Sequence, residues 1–155
     1  MKLNINCGQN VRDDCINIDN RVEHSLQENV LYTSNYGDLF DKNQLPIQTR
    51  SVDEIIVNAG TFEKMDKDMI GNTLLYFKSI LKKNGNIKIY LLDIYPLCNK
   101  FINDQISIED FELEVLSSET LLTTPSMVST LYRMGFTVET TNLQDVVGVI
   151  HARSS

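Results

Sequence analysis

The order of patterns along this chain predicts an α/β fold: an open, mostly parallel sheet with helices packed on it, a C-terminal antiparallel strand pair, and a first helix that is shortened or missing. Three observations predict it. Short runs of β-branched residues alternate with helix-like stretches, which is the pattern of strands joined by crossovers. The last two β-prone runs are separated by a short loop, so they pair antiparallel. Only seven residues, Gln9 to Cys15, lie between Gly8 and the second run. A parallel crossover takes about a dozen or more and usually holds a helix, so that helix is predicted to be absent or shrunk to a turn.

Taken in order, Leu3-Asn4-Ile5-Asn6-Cys7-Gly8 and Cys15-Ile16-Asn17-Ile18-Asp19-Asn20 read as short buried strands. Residues 20–29 are polar and read as loop with at most a helical turn, and Val30-Leu31-Tyr32-Thr33 gives a third strand. Asn35-Tyr36-Gly37-Asp38 is a turn signal, and Ile55-Ile56-Val57 is a β-branched run suited to a strand buried on both faces. The strongest helix signal follows. Asp66 or Asp68 can cap its start, and Ile70, Leu74, Phe77 and Leu81 fall on one stripe. Asn84-Gly85 is predicted to end it, with Gly85 as a left-handed cap. Ile87 to Leu92 is another buried strand that Asp93 closes. From Pro96 to Glu114 the apolar residues settle on no period. Leu121 to Met134 reads as a helix, opened by Thr123 or Thr124 beside Pro125 and followed by Gly135. Two strands, about 136–141 and 146–152, finish the chain.

The 155 residues suit one domain, 1–155, with a real core. Hydrophobic residues at 42% and charged residues at 23% give a globular balance. No apolar run approaches the ~20 residues of a membrane span, and no signal-peptide core follows Met1, so a cytoplasmic protein without a membrane partner is expected. A formal net charge of −7 makes nucleic acid a poor partner. Three cysteines without a C-x-x-C, and two histidines far apart, are expected to be neither a disulfide framework nor a zinc site.

Ligands of open α/β sheets bind outside the carboxyl ends of the strands. Gly8 there is either a plain turn or a place where backbone approaches a ligand. Asp19 is either a solvated strand-end acid or the acceptor for ribose hydroxyls. A dinucleotide fingerprint would need three glycines opening a helix and an acid about 20 residues on, and neither the glycines nor the room is present. Asn58-Ala59-Gly60 is not accompanied by the Tyr-x-x-x-Lys that a short-chain dehydrogenase would need.

The stretch Leu-Asn-Ile-x-Cys-Gly followed by Ile-Asn-Ile-Asp resembles the first two motifs of small class I S-adenosylmethionine-dependent methyltransferases. Gly37-Asp38-Leu39, Leu45-Pro46, Ser51-Val52-Asp53-Glu54-Ile55 and Leu81-Lys82-Lys83-Asn84-Gly85 are similar to later segments of that group. The resemblance implies a Rossmann-like sheet of the class I methyltransferase type, with S-adenosylmethionine as cofactor and a small-molecule or glycan-precursor acceptor. It implies cofactor contacts from Asn6, Cys7, Gly8, Asp19, Asn20, Asp38 and Leu39, with Asn58 and Ala59 flooring the pocket near the sulfonium. Asp38 would meet the adenine ring, and the methionine carboxylate would rest on loop N–H groups from Cys7 to Asn10 together with Arg12.

The chain departs from the pattern in two places. Asn6 stands where the group has a glycine, and Asn58-Ala59-Gly60-Thr61-Phe62-Glu63-Lys64 replaces a segment carrying two histidines. Glu63 is read as a helix-start carboxylate rather than a catalytic group, and no catalytic residue is assigned. The alternative reading is a degenerate methyltransferase-like module that binds or interacts without turnover.

Overall fold

The computed structural model describes residues 1–21, 29–32 and 47–155. Strands β1 (Lys2–Ile5), β2 (Ile16–Asp19), β3 (Val30–Tyr32) and β4 (Val52–Val57) precede helix α1 (Lys67–Ile80). Then come β5 (Leu81–Leu92), α2 (Ile94–Ile102), α3 (Ile108–Leu116), α4 (Thr124–Arg133), β6 (Phe136–Gln144) and β7 (Val147–Ser154). They build one seven-stranded sheet in the order β3-β2-β1-β4-β5-β7-β6. The pairs from β3 through β5 are parallel, and β7 pairs antiparallel with both β5 and β6. Strand order reverses between β1 and β4, which makes the crevice at their carboxyl ends the topological switch point. Among the described residues no helix is long and apolar enough to cross a membrane.

Alternation along the strands sorts side chains onto two faces. Leu3 and Ile5 of β1, Ile18 of β2, Ile55 and Val57 of β4 and Ile87, Ile89 and Leu91 of β5 join one hydrophobic cluster with Ile70, Leu74 and Phe77 of α1 and Met127 and Leu131 of α4. The α1 stripe is therefore core, and Leu74, at 0% exposure, contributes roughly 1.5–3 kcal/mol by burial alone. Asp66, not Asp68, is the cap: its carboxylate accepts from Met69 N at 2.8 Å.

The end of α1 differs from the expected one. The helix stops at Ile80 because Leu81 turns extended and pairs at once with Val52. Residues 82–85 then bulge out before Asn86 resumes the ladder opposite Glu54. Asn84, at φ 62°, takes the left-handed position assigned to Gly85. Asparagine tolerates that conformation better than other side chains do. Lys82 leaves the helix end and pairs with Asp53 at 2.6 Å.

The segment without a clear period forms α2 and α3. Asp93 caps α2 through Tyr95 N at 3.0 Å and also accepts from Thr124 N at 2.8 Å, so one buried carboxylate fixes the starts of α2 and α4. Ser107 caps α3. No residue of α3 is buried, and stacking of Phe111 on Phe101, with centroids 4.6 Å apart, ties it to α2. Thr123 closes a capping box with Ser126 at the start of α4, with Pro125 in the first turn.

Candidate functional site

The first crossover contains no helix: residues 6–15 are turns and irregular backbone. Three asparagines hold this loop in the helix's place. Asn4 and Asn17 lie opposite one another on β1 and β2, on the sheet face away from Leu3 and Ile18, and both are fully buried. Asn4 Nδ2 donates to Asn17 Oδ1 at 2.8 Å and to Asn10 O at 2.7 Å. Asn17 Oδ1 also accepts from Arg12 N at 2.9 Å, while its Nδ2 donates to the carbonyls of Arg12, Cys15 and Asn29. Asn58, at the end of β4, donates to Asn4 Oδ1 and to Ile5 O, both at 2.8 Å. A buried amide pays off only when its donors and acceptors are matched. These side chains do so by gripping loop carbonyls and N–H groups that a helix would have satisfied internally.

At the carboxyl ends of β1 and β4 lies a cavity of about 490 Å³, which Asn58 of this frame lines. Five predicted site residues, Asn6, Cys7, Gly8, Asn58 and Ala59, line it together. Asn6 adopts φ 54°, so the departure from glycine keeps the left-handed backbone that the turn uses. Its Nδ2 donates to Ala59 O at 2.6 Å and links the two loops across the switch point. That crossing is also why residue 60 is glycine: it sits at φ 86°, and a Cβ there would lie 3.2 Å from Asn6 Nδ2. Cys7 is buried, and burial, followed by the nearby Asp19 charge, pushes its thiol up from the ordinary value, which favours the protonated form.

Asp19 ends β2 beside this cavity but is 0% exposed and does not line it. Its Oδ2 accepts from Gly8 N at 2.7 Å and from Arg21 Nη2 at 3.0 Å, and its Oδ1 accepts from Arg21 N at 2.9 Å and Arg21 Nε at 3.0 Å. Burial alone would raise this carboxyl; the hydrogen bonds from Arg21 and Gly8 outweigh it and hold the group below its ordinary value. The surface presented to a ligand at this point is Arg21, which sequence reasoning did not single out. Asn20 follows Asp19 and is half-buried. Asp38 and Leu39 lie outside the described residues.

Gln9, Asn10, Arg12, Tyr90 and Val147 complete the described lining. The ring of Tyr90 is held by Lys88, whose Nζ lies 4.9 Å from its centroid. The loop N–H groups expected to receive a carboxylate are largely engaged already. Cys7 N donates to Ile18 O, Gly8 N to Asp19 and Asn10 N to Cys7 O.

Glu63 lies in a 3-10 turn, Phe62–Lys64, and is 4% exposed. Its Oε1 accepts from Leu92 N at 2.5 Å and its Oε2 from Gly60 N at 2.9 Å, so it straps the end of β5 to the loop after β4. Burial pushes its carboxyl up against the opposing effect of those backbone donors. The helix-start role expected for it becomes a bridge between two strand ends.

No family model matches the chain, and no curated protein matches it by sequence. Solved structures do match its fold. An S-adenosylmethionine-dependent methyltransferase of Thermotoga maritima superposes with a TM-score of 0.67 at 14% identity, over 99% of this chain and 82% of that one. One from Methanosarcina mazei gives 0.66 at 12% identity, over 99% and 91%. Another, from Archaeoglobus fulgidus, gives 0.66 at 13% identity, over 98% and 85%. The chain has the class I methyltransferase fold in its mixed sheet and antiparallel C-terminal pair.

Proposed function

We propose that this chain, as a single domain of residues 1–155, binds S-adenosylmethionine in the cavity at the β1–β4 switch point and transfers its methyl group to a small-molecule or glycan-precursor acceptor in the cytoplasm. One observation carries the reading. The cavity of about 490 Å³ sits where strand order reverses and gathers five of the residues expected to touch the cofactor. The residues present fit that group: Gly8 and Asn6 give two left-handed turns that bring backbone to the cavity wall, and Asp19 stands at the end of β2, where a ribose would be met.

A bound sulfonium is an activated methyl donor, so the protein's work is to orient the acceptor and exclude water. In this reading Asn58 and Ala59 form the floor beneath the reacting end, Asn6 fixes the loop that carries Ala59, and Asn20, Asp38 and Leu39 complete the nucleoside end. Calorimetric titration with S-adenosylmethionine and S-adenosylhomocysteine tests the cofactor. We expect saturable heat and a raised Tm, and neither signal at millimolar ligand would end the reading.

A second reading, a module that binds without turnover, is favoured by the Asn6 amide reaching across the switch point to Ala59 at 2.6 Å, where the related pattern has a glycine. Labelled methyl transfer into small-molecule and glycan-precursor pools separates the two, since one product rules out the silent module.

A further inference from the structure

We infer that Arg21 is a latch over the ribose-binding carboxylate: the site as folded is closed by its own arginine, and a vicinal diol has to displace that side chain to reach Asp19. The inference rests on the cofactor reading above and adds to it a residue that decides affinity and specificity. Three observations carry it. Asp19 is 0% exposed although it ends a strand at the ligand edge of the sheet. The Arg21 fork is bidentate on it, Nε to Oδ1 and Nη2 to Oδ2, each at 3.0 Å, which is the strong geometry for a carboxylate. Arg21 Nη2 also lies 2.6 Å from where a Cβ on Gly8 would stand, so the guanidinium fills the hollow that the glycine turn leaves open.

The latch is built to move. The Arg21 side chain is 45% exposed and lines the cavity, so on leaving Asp19 its charge can be taken up by water. Asp19 keeps the bond from Gly8 N when the arginine leaves, and the oxygens released can accept two ribose hydroxyls. Ligand and arginine therefore compete for one carboxylate. Apparent affinity is then the intrinsic affinity reduced by the fraction of molecules in which the latch is open.

Adenosine is the diagnostic probe, because it carries the diol and no charge. Calorimetry would compare adenosine, 2′-deoxyadenosine and S-adenosylhomocysteine on the wild-type chain and on Arg21→Ala, with melting curves run alongside. We expect Arg21→Ala to bind adenosine roughly tenfold tighter, as for a latch open in about a tenth of molecules. Binding of 2′-deoxyadenosine, which keeps one of the two hydroxyls, should tighten less than that of adenosine. On the wild-type chain, raising salt from about 0.05 M to 1 M screens the ion pair, so adenosine affinity should rise by roughly twofold or more. That salt effect should vanish in the variant.

Should Arg21→Ala fail to fold, Arg21→Lys, which keeps the charge and loses the fork, and the wild-type salt series carry the test. Adenosine affinity that is equal or weaker without the arginine, or flat with salt in the wild type, overturns the latch while leaving the cofactor reading in place. Binding of no adenosine compound by either chain at millimolar concentration overturns both.

Discussion

At the scale of single residues, two buried carboxyls near the site are shifted in opposite directions from their ordinary values. Asp19 is held below its ordinary value of 3.8 once its hydrogen bonds to Arg21 and Gly8 have overcome burial, so the stability it contributes is present above that value and is lost as the pH falls. Glu63 is raised above its ordinary 4.5, burial being the larger cause. In the folded state it binds its proton more tightly than in the unfolded one, so its contribution to stability is fullest below 4.5 and declines as the pH rises through the raised value. Glu63→Gln removes the charge and leaves one acceptor oxygen for two backbone donors, Leu92 N and Gly60 N. Subtracting the variant's urea stability from the wild type's, at each pH from about 4 to 8, should therefore give a difference that shrinks as pH rises. Two curves that stay parallel over that range would show that Glu63 is not titrating there. Glu63 was legible in the sequence as a carboxylate near a helix start, but the partners that strap two strands together were not, because one of them, Leu92, lies 29 positions away.

At the scale of elements, what the sequence revealed tracks what the core enforces. The α1 stripe was readable because Ile70, Leu74 and Phe77 all enter one cluster, and β4 because Ile55, Ile56 and Val57 are buried on both faces. Helix α3 escaped detection for the opposite reason: Ile108, Leu113 and Leu116 are exposed, so no core-facing period marks it. The end of α1 was misplaced because tertiary pairing of Leu81 with Val52 overrode a local Asn-Gly stop signal.

Two predictions belong to this scale. With no buried residue of its own, α3 should exchange its amides through local opening well before β5, whose inward side chains are all in the core. Hydrogen exchange showing equal protection in the two elements would contradict the packing described. The asparagine frame should behave as the substitute for a missing helix. Asn17→Ala removes one of the two acceptors of Asn4 Nδ2, the acceptor of Arg12 N and the donor shared by three loop carbonyls, which should cost at least ~1–3 kcal/mol, the penalty of a single buried group left unpaired. A change in urea midpoint equivalent to less than about 0.5 kcal/mol, the range of an ordinary surface substitution, would mean that water replaces the amide without penalty.

At the scale of the whole molecule, the absent first helix decides which end of a ligand is held. The short spacer announced that absence in the sequence, and Asn6, Cys7, Gly8, Asn58 and Ala59 do converge on one cavity. What the spacer did not disclose is how the loop satisfies itself. Sequence pattern reports the period of buried side chains, while hydrogen bonds between the Asn4 and Asn17 amides and backbone atoms leave no periodic trace.

This arrangement bears directly on affinity. A helix N-terminus would offer unpaired N–H groups and a dipole worth ~0.3–1 kcal/mol or more toward a carboxylate. Here Cys7 N, Gly8 N, Asn10 N and Arg12 N are all already donating within the protein. The remaining attraction for an amino-acid carboxylate comes from the guanidinium groups of Arg12 and Arg21, both exposed side chains that line the cavity, and an ion pair so exposed to water is worth about 0–1 kcal/mol. Removing the methionine moiety should therefore cost little. Adenosine or methylthioadenosine is expected to bind within roughly tenfold of S-adenosylhomocysteine, a difference of ~1.4 kcal/mol. Arg12→Ala should narrow that gap further without weakening adenosine. Competition calorimetry measures both, and a several-hundredfold loss on removing the amino-acid end would mean that donors from elsewhere, not this loop, complete the site.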